Sequence, residues 1–459
     1  MRVRKARIRD LSDAEKAEMR GLSEIEAVFP AVREIVEAVK ERGDAALVEL
    51  TERFDGVKLQ PSELEVSDAE LEEAEASLDP ALKKSIEFAA EAIRKFHFRQ
   101  KSKSWFEDFG VGGVESERGV VRSGSKGSII LGEVFVPLER VGVYVPSGYF
   151  STALMCVIPA RVAGVREIAV CTPPQQRKDG KISAAVLFAA RIAGASRIFK
   201  VGGAQAIAAL AFGTETIPKV QKIVGPGNVF VTAAKMLLRS ERRTEIEFPA
   251  GPSEVLIIAD ASANPEFIAA DMLAQAEHGT HSKAILLTDD ERLANAVQKE
   301  LELAEKQVEQ AERAERAEKA EQAEQAGARR GAGAGQFWIL LGSMEECVEF
   351  ANEYAPEHLE IVVREPFEVL RGVKNAGAVF LGAFSPVAAG DYATGANHVL
   401  PTAGFASLFS GLSVHDFMRR MTVQMLDAEG LRKIKDAVVQ LARAEGMEMH
   451  ARSVEVRFK

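Results

Sequence analysis

Val141-Gly142-Val143-Tyr144-Val145-Pro146 sets the pattern that decides the fold: a short β-branched run, halted by Pro, ahead of a helical stretch. The same unit returns at Ile168 to Thr172, at Ile198 to Val201 and at Ile223 to Val224. Each repeat is about 25 to 30 residues, enough for one strand and a crossover helix, so the rhythm predicts a parallel sheet covered on both faces. Further strand candidates at Val255 to Ile258, Ile285 to Thr288, Phe337 to Leu341, Leu359 to Val363 and Ala378 to Leu381 predict a second such sheet. The fold class is therefore α/β, with two doubly wound, Rossmann-like parallel-sheet modules.

Outside these modules the texture changes. Between Ser12 and Ala92 acidic and apolar residues alternate at helical spacing, as in Val32, Ile35, Val36 and Val39, which predicts a helical N-terminal region. Residues 1–140 are read as that region, its latter part joining the second module. Residues 141–250 form the first module and 251–405 the second, with a charged insertion at 301–336. Residues 406–459 form an extended arm, with an amphipathic helix from Ala428 to Glu445 and a short final strand from Val454 to Phe458. The arm is too small to bury a core alone, so it should pack on another domain or subunit. Within the insertion, residues 311–325 repeat Ala-Glu-X. A period of three smears the alanines around a helix, so a solvated helix fits better than a coiled coil, with a flexible return loop from Gly327 to Gly335.

Composition narrows the function. At 459 residues and 47% hydrophobic, the chain has material for more than one core. A net charge of −10 argues against nucleic-acid or anionic-membrane partners. The cationic opening from Met1 to Arg9 is not followed by an apolar stretch, and no run approaches the length of a spanning helix, so a cytoplasmic location is expected. The three cysteines, Cys156, Cys171 and Cys347, lack CxxC spacing, so any metal must take nitrogen and oxygen ligands.

Chemistry-bearing residues gather late in the chain, where six of the seven histidines lie. In Gln275-Ala276-Glu277-His278-Gly279, Gln275 and His278 are three apart near a predicted helix end, so they face one way and could hold a metal; equally, His278 could complement the helix dipole. Pro356-Glu357-His358-Leu359 sets a carboxylate beside an imidazole before a predicted strand, suited to proton abstraction and water activation, or simply a polar turn. The run Ala388 to His398 combines small residues with Asp391, which could ligate a cation or cap a helix. On the first module, Gly202-Gly203-Ala204-Gln205 and Gly225-Pro226-Gly227-Asn228 place small residues between strand and helix, where amides can face a phosphate, although GxGxxG is missing.

Taken together, Val-Gly-Val-Tyr-Val-Pro at 141–146, Gly-Gly-Ala-Gln-Ala at 202–206, Gly-Pro-Gly-Asn at 225–228, Gly-Pro-Ser-Glu at 251–254, Gln-Ala-Glu-His-Gly at 275–279, Ala-Pro-Glu-His-Leu at 355–359 and Gly-Asp-Tyr-Ala at 390–393 resemble the histidinol dehydrogenase family. The resemblance implies an NAD-linked, four-electron oxidation of L-histidinol to L-histidine through the aldehyde, the last steps of histidine biosynthesis. It implies one Zn2+ per subunit on Gln275, His278, Asp391 and His450, with His358 as general base and Glu357 activating water. It further implies substrate contacts from Ser253, Gln275, His278, His358, Asp391, Glu445 and His450, and NAD contacts from Tyr144, Gln205 and Asn228. The partner implied is a second copy: in a homodimer the arm would bring Glu445 and His450 to the neighbour's site.

Two segments depart from the family pattern. Ser-Gly-Tyr-Phe-Ser-Thr-Ala at 147–153 is shorter than the usual Gly-Gly, spacer, Tyr-Pro-Ser segment, which bears on the cofactor loop. The Ala-Glu-X insertion lies away from every named motif and should be tolerated. The rival expectations are a zinc hydrolase, in which the first module is scaffold, and a non-catalytic binding or scaffold protein that keeps the metal ligands.

Overall fold

The computed structural model describes residues 2–20, 25–109, 127–175, 180–241, 243–248, 251–279, 281–319 and 336–459. The chain opens with β1 (Arg2–Arg7) and α1 (Asp13–Arg20), then α2 (Ile25–Arg42), α3 (Asp44–Asp55), α4 (Asp68–Ser77) and α5 (Pro80–Gln100). β2 (Trp105–Asp108) and β3 (Ile129–Pro137) lead into β4 (Arg140–Tyr144), α6 (Phe150–Ala163), β5 (Glu167–Thr172), α7 (Ala184–Ala193) and β6 (Arg197–Lys200). α8 (Gly203–Phe212), β7 (Lys222–Val224), α9 (Val229–Ser240) and β8 (Glu245–Ile246) complete the first module. The second runs through β9 (Glu254–Ala259), α10 (Pro265–Ala276), β10 (Lys283–Thr288), α11 (Glu291–Lys319), β11 (Gln336–Leu341) and α12 (Met344–Tyr354). It closes with β12 (His358–Val362), α13 (Pro366–Leu370), β13 (Ala378–Leu381) and α14 (Val387–Tyr392), before β14 (Met418–Leu426), α15 (Ala428–Ala444) and α16 (Glu448–Glu455).

Both predicted parallel sheets are present. The first has the order β6-β5-β4-β7-β8 and the second β1-β11-β10-β9-β12-β13, and every pairing within them is parallel. Alternating side chains feed opposite cores, as a doubly covered sheet requires. Val141, Val143 and Val145 enter one core of the first module while Tyr144 enters the other. Val255 and Ile257 face one side of the second sheet, Leu256 and Ile258 the other. The α2 stripe of Val32, Ile35, Val36 and Val39 is buried in the first module, each side chain contributing about 1.5–3 kcal/mol.

The structure corrects the sequence reading of the flanks. It is the opening strand β1, not the latter part of residues 1–140, that joins the second sheet, in parallel register with β11. The helices α2 to α5 pack on the first module instead. Unforeseen as well is a three-stranded antiparallel sheet, β14-β3-β2, in which the arm's strand pairs with β3 from Met418↔Pro137 to Leu426↔Ile129. Val454 to Phe458 is not a strand: it falls in α16 and a closing 3-10 turn. α16 instead folds back on α15, tied by Arg443 to Glu448 and Glu455.

The helical reading of the insertion holds as far as α11 is described, to Lys319; the return loop from Gly327 to Gly335 lies outside the described residues. Among the described residues no helix is long and apolar enough to cross a membrane. All three cysteines are buried free thiols.

Candidate active site

A cavity of about 770 Å³ opens between the modules, within the range of small-molecule sites. It gathers Tyr144, Gln205 and Asn228 from the first module and Ser253, His278, Glu357, His358 and Asp391 from the second. Gln275 is buried at the end of α10 and is not part of the lining. Glu445 and His450 are exposed on the arm and do not reach this cavity within the chain.

The two sheets present opposite edges. Tyr144 ends β4, and Gly203 and Asn228 stand where α8 and α9 begin, so the first module contributes its strand C-termini and helix N-termini, the usual ligand edge of such sheets. In the second module Ser253 and Glu357 precede β9 and β12, while Gln275 and His278 stand at the end of α10. That wall is thus made of strand N-termini and helix C-termini.

On the first wall the backbone is held close. The Gly203 N–H donates to Tyr144 Oη at 3.2 Å, and burial pushes the Tyr144 phenol up to about 12. Asn228 caps α9, its Oδ1 accepting from the N–H groups of Phe230 and Val231 at 3.1 Å each. At Gly225, φ is +114° and an added Cβ would stand 2.1 Å from the Tyr144 carbonyl oxygen, so only glycine fits this turn. Below it the turn is pinned by a buried ion pair: Lys235 Nζ lies 2.6 Å from Glu247 Oε1 and donates to the Gly225 carbonyl at 2.9 Å, while Gly225 N–H donates to Glu247 at 2.9 Å.

The second wall carries the titratable groups. Glu357 Oε2 accepts from Ser253 Oγ at 2.5 Å and from Glu254 N–H at 2.9 Å. Burial nevertheless raises its carboxyl to about 8, with the Asp391 charge adding to the effect. His358 Nδ1 lies 3.1 Å from the Glu254 carbonyl oxygen, which can only accept, so Nδ1 carries the proton and donates it there. Nε2 is left with a lone pair, buried and without a hydrogen-bond partner, 3.9 Å from Asp391 Oδ1. Burial also lowers the His358 pKa, keeping the ring neutral. Asp391 is raised by burial and eased by His358 and His278.

Two further groups belong here that the sequence did not single out. His398 lines the cavity, its Nδ1–H donating to the Asp391 carbonyl at 3.0 Å, and burial lowers its pKa to about 4. Its only sequence signal was its place at the end of the Gly-Asp segment. Glu254 lies behind the pair: its backbone serves both Glu357 and His358, and its side chain accepts from Tyr354 Oη at 2.7 Å and Ala403 N–H at 2.9 Å.

Whether the predicted metal ligands fit a cation can be judged from the donors. Among the described residues no three His, Cys, Asp or Glu side chains form a metal-holding group, so a cation here would also draw on the Gln275 amide or on a ligand from outside the chain. It brings His278 and Asp391 to the cavity and buries Gln275 with its amide Nε2 unpartnered. With the amide turned over, that position offers an oxygen. Nitrogen and oxygen donors suit zinc, and the C-terminal ends of α10 and α12 turn their negative dipole poles toward this wall. The donor set fits a cation once a further ligand is supplied.

Comparison with known proteins shows the family. The histidinol dehydrogenase family model matches residues 18–458. A histidinol dehydrogenase of Methanocaldococcus jannaschii is 46% identical over 100% of this chain and 99% of its own, and one of Methanosarcina barkeri is 44% identical over 98% and 97%. The crystal structure of histidinol dehydrogenase from Elizabethkingia anophelis superposes with a TM-score of 0.84 at 36% identity, covering 100% of this chain and 98% of that one. With motifs, fold and full-length similarity in agreement, this chain belongs to the histidinol dehydrogenase family.

Proposed function

We propose that this chain oxidises L-histidinol to L-histidine through L-histidinaldehyde, in two hydride transfers to NAD, with a Zn2+ held by Gln275, His278 and Asp391 and by His450 from a second copy. The observation that carries the reading is His358: its Nδ1–H is fixed on a carbonyl, its Nε2 lone pair has no partner, and the residue lines a cavity whose opposite wall gathers strand C-termini and helix N-termini. Such a ring is a ready proton acceptor for a carbinol O–H, and Asp391 at 3.9 Å stabilises the imidazolium that results. The two helix N-termini of the first wall suit a pyrophosphate.

Glu357 takes the second task. Once the aldehyde has formed, its carboxylate accepts a proton from the attacking water, and Ser253 and the Glu254 amide hold it in place and favour its ionised form. Held by Gln275, His278, Asp391 and the second copy's His450, a Zn2+ would supply a Lewis-acidic anchor for the nitrogen donors of the substrate and so help to orient the carbinol carbon. Glu445 and His450, exposed on α15's end and α16, are free to serve a neighbouring subunit in a homodimer.

The test is NADH counted per L-histidinol consumed, before and after chelation. Two NADH, lost on chelation and restored by Zn2+, is the expected result. Zinc binding without NADH formation would refute the dehydrogenase reading.

A further inference from the structure

Beneath the second wall lies a pair of acids that neither the hydride chemistry nor water activation uses. Asp271 stands on α10, one turn before Gln275. Glu360 stands on β12, two residues after His358 and so on the same face of the strand. Glu360 Oε1 accepts from the N–H of Val387, the first residue of α14, at 3.0 Å. Its other oxygen is buried and meets no donor, yet the Asp271 carboxyl is within hydrogen-bond reach.

Two carboxylates are acceptors only, so this contact is repulsive unless one of them is protonated. Among the described residues no Lys, Arg or His is paired with either acid; the groups that face the pair are each other and the Val387 amide. Burial raises both acids, Glu360 being buried and Asp271 half-buried, and with one proton between them the contact becomes a charge-assisted O–H···O bond, stronger than a neutral one. That bond joins α10, which carries Gln275 and leads to His278, to β12, which carries His358; the second Glu360 oxygen joins β12 to α14, which carries Asp391.

We infer that Asp271 and Glu360 share one proton and act as positioning residues, a clamp that fixes α10 and α14 on β12 and so sets the spacing of the residues those elements bring to the cavity. The clamp is independent of what the cavity binds; only its effect on metal retention rests on the zinc reading.

Glu360→Gln and Asp271→Asn test it, because an amide donates to the remaining carboxylate at every pH. The folded-state affinity of Glu360 for its proton exceeds that of the unfolded chain, so the wild-type contribution is full below about pH 4.5 and is lost as pH rises through about 8. The melting temperature of Glu360→Gln, compared with wild type, should therefore climb by roughly 2–4 °C across that interval. An infrared band of a protonated carboxyl should also be missing from the variant at neutral pH. Glu360→Ala and Asp271→Ala should speed withdrawal of Zn2+ by a chelator about tenfold, while the amide variants stay close to wild type.

Parallel melting curves for wild type and Glu360→Gln at all pH values would overturn the shared proton. A wild-type pH slope that disappears on chelation would do so too, since a cation would then sit between the acids. Alanine variants that lose metal no faster than the amide variants would overturn the positioning role. If the chain holds no zinc at all, the melting curves and the infrared band still decide the clamp.

Discussion

Replacing Ser253 by Ala separates two roles proposed for one hydroxyl, holding Glu357 and touching substrate. In the structure Ser253 Oγ donates to Glu357 Oε2 at 2.5 Å, and Glu254 N–H is the other donor to that oxygen. A hydrogen bond to a charged group is worth about 1.5–3 kcal/mol, and at about 1.36 kcal/mol per decade its loss raises the proton affinity of Glu357 roughly ten- to a hundredfold. The sign is fixed by the donor: a hydroxyl that stabilises the carboxylate leaves a more basic group when it is removed. Glu357 starts from about 8, so a smaller fraction would be ionised near neutrality. The assay is NADH formation from L-histidinaldehyde as a function of pH, since the role proposed for Glu357 lies in the second oxidation. The acid limb should climb by roughly one to two on the pH scale, with much of the rate recovered at high pH. Substrate contact by Ser253 alone predicts a uniform loss instead; an unmoved limb would refute the coupling between Ser253 and Glu357.

Other outcomes follow from the same geometry. His358→Gln should lower turnover by about 10²–10⁴-fold while Zn2+ and L-histidinol binding, measured by calorimetry, stay close to wild type; loss of metal or fold would contradict its role as base. Chains carrying His450→Ala, mixed with chains carrying His358→Gln, should regain activity through heterodimers with one intact site, and mixtures as inactive as their parents would count against a shared site. Lys235→Met leaves Glu247 buried and unpaired under the Gly225 turn, so urea unfolding should show a loss of about 3–5 kcal/mol, whereas Lys235→Met with Glu247→Leu should recover most of it.

The parallel sheets were legible because their strands are buried on both faces, as in Val-Leu-Ile-Ile at 255–258, where no polar residue breaks the run. β14 gave no such signal: only half-buried and exposed positions line it, and its stability comes from the ladder to β3 far back in the chain. Val454 to Phe458 alternates like a strand, yet Ala451 is buried and Phe458 lies under Arg432 and Lys435 of α15, so local packing overrides the alternation. β1 reads as a cationic opening because its arginines are conspicuous; Arg4 in fact covers the Trp338 ring at 4.7 Å and pairs with Glu18. Eight predicted site residues meet in one cavity. His398 and the Asp271–Glu360 pair escaped notice because their meaning lies in burial and in partners distant along the chain.

The arm is anchored at its root by the β14–β3 ladder, and beyond it α15 runs 17 residues to the left-handed Gly446, where the chain turns into α16 and His450. At about 1.5 Å per residue α15 is a strut of roughly 25 Å. One inserted residue would lengthen the strut only slightly but swing everything beyond it by about 100°, aiming His450 away from wherever it now points. A four-residue insertion nearly restores the phase and adds only reach. Substitution along the exposed face of α15, away from Gly430, Val439 and the Arg443 that ties α16, would leave that aim intact, whereas a change of length would not.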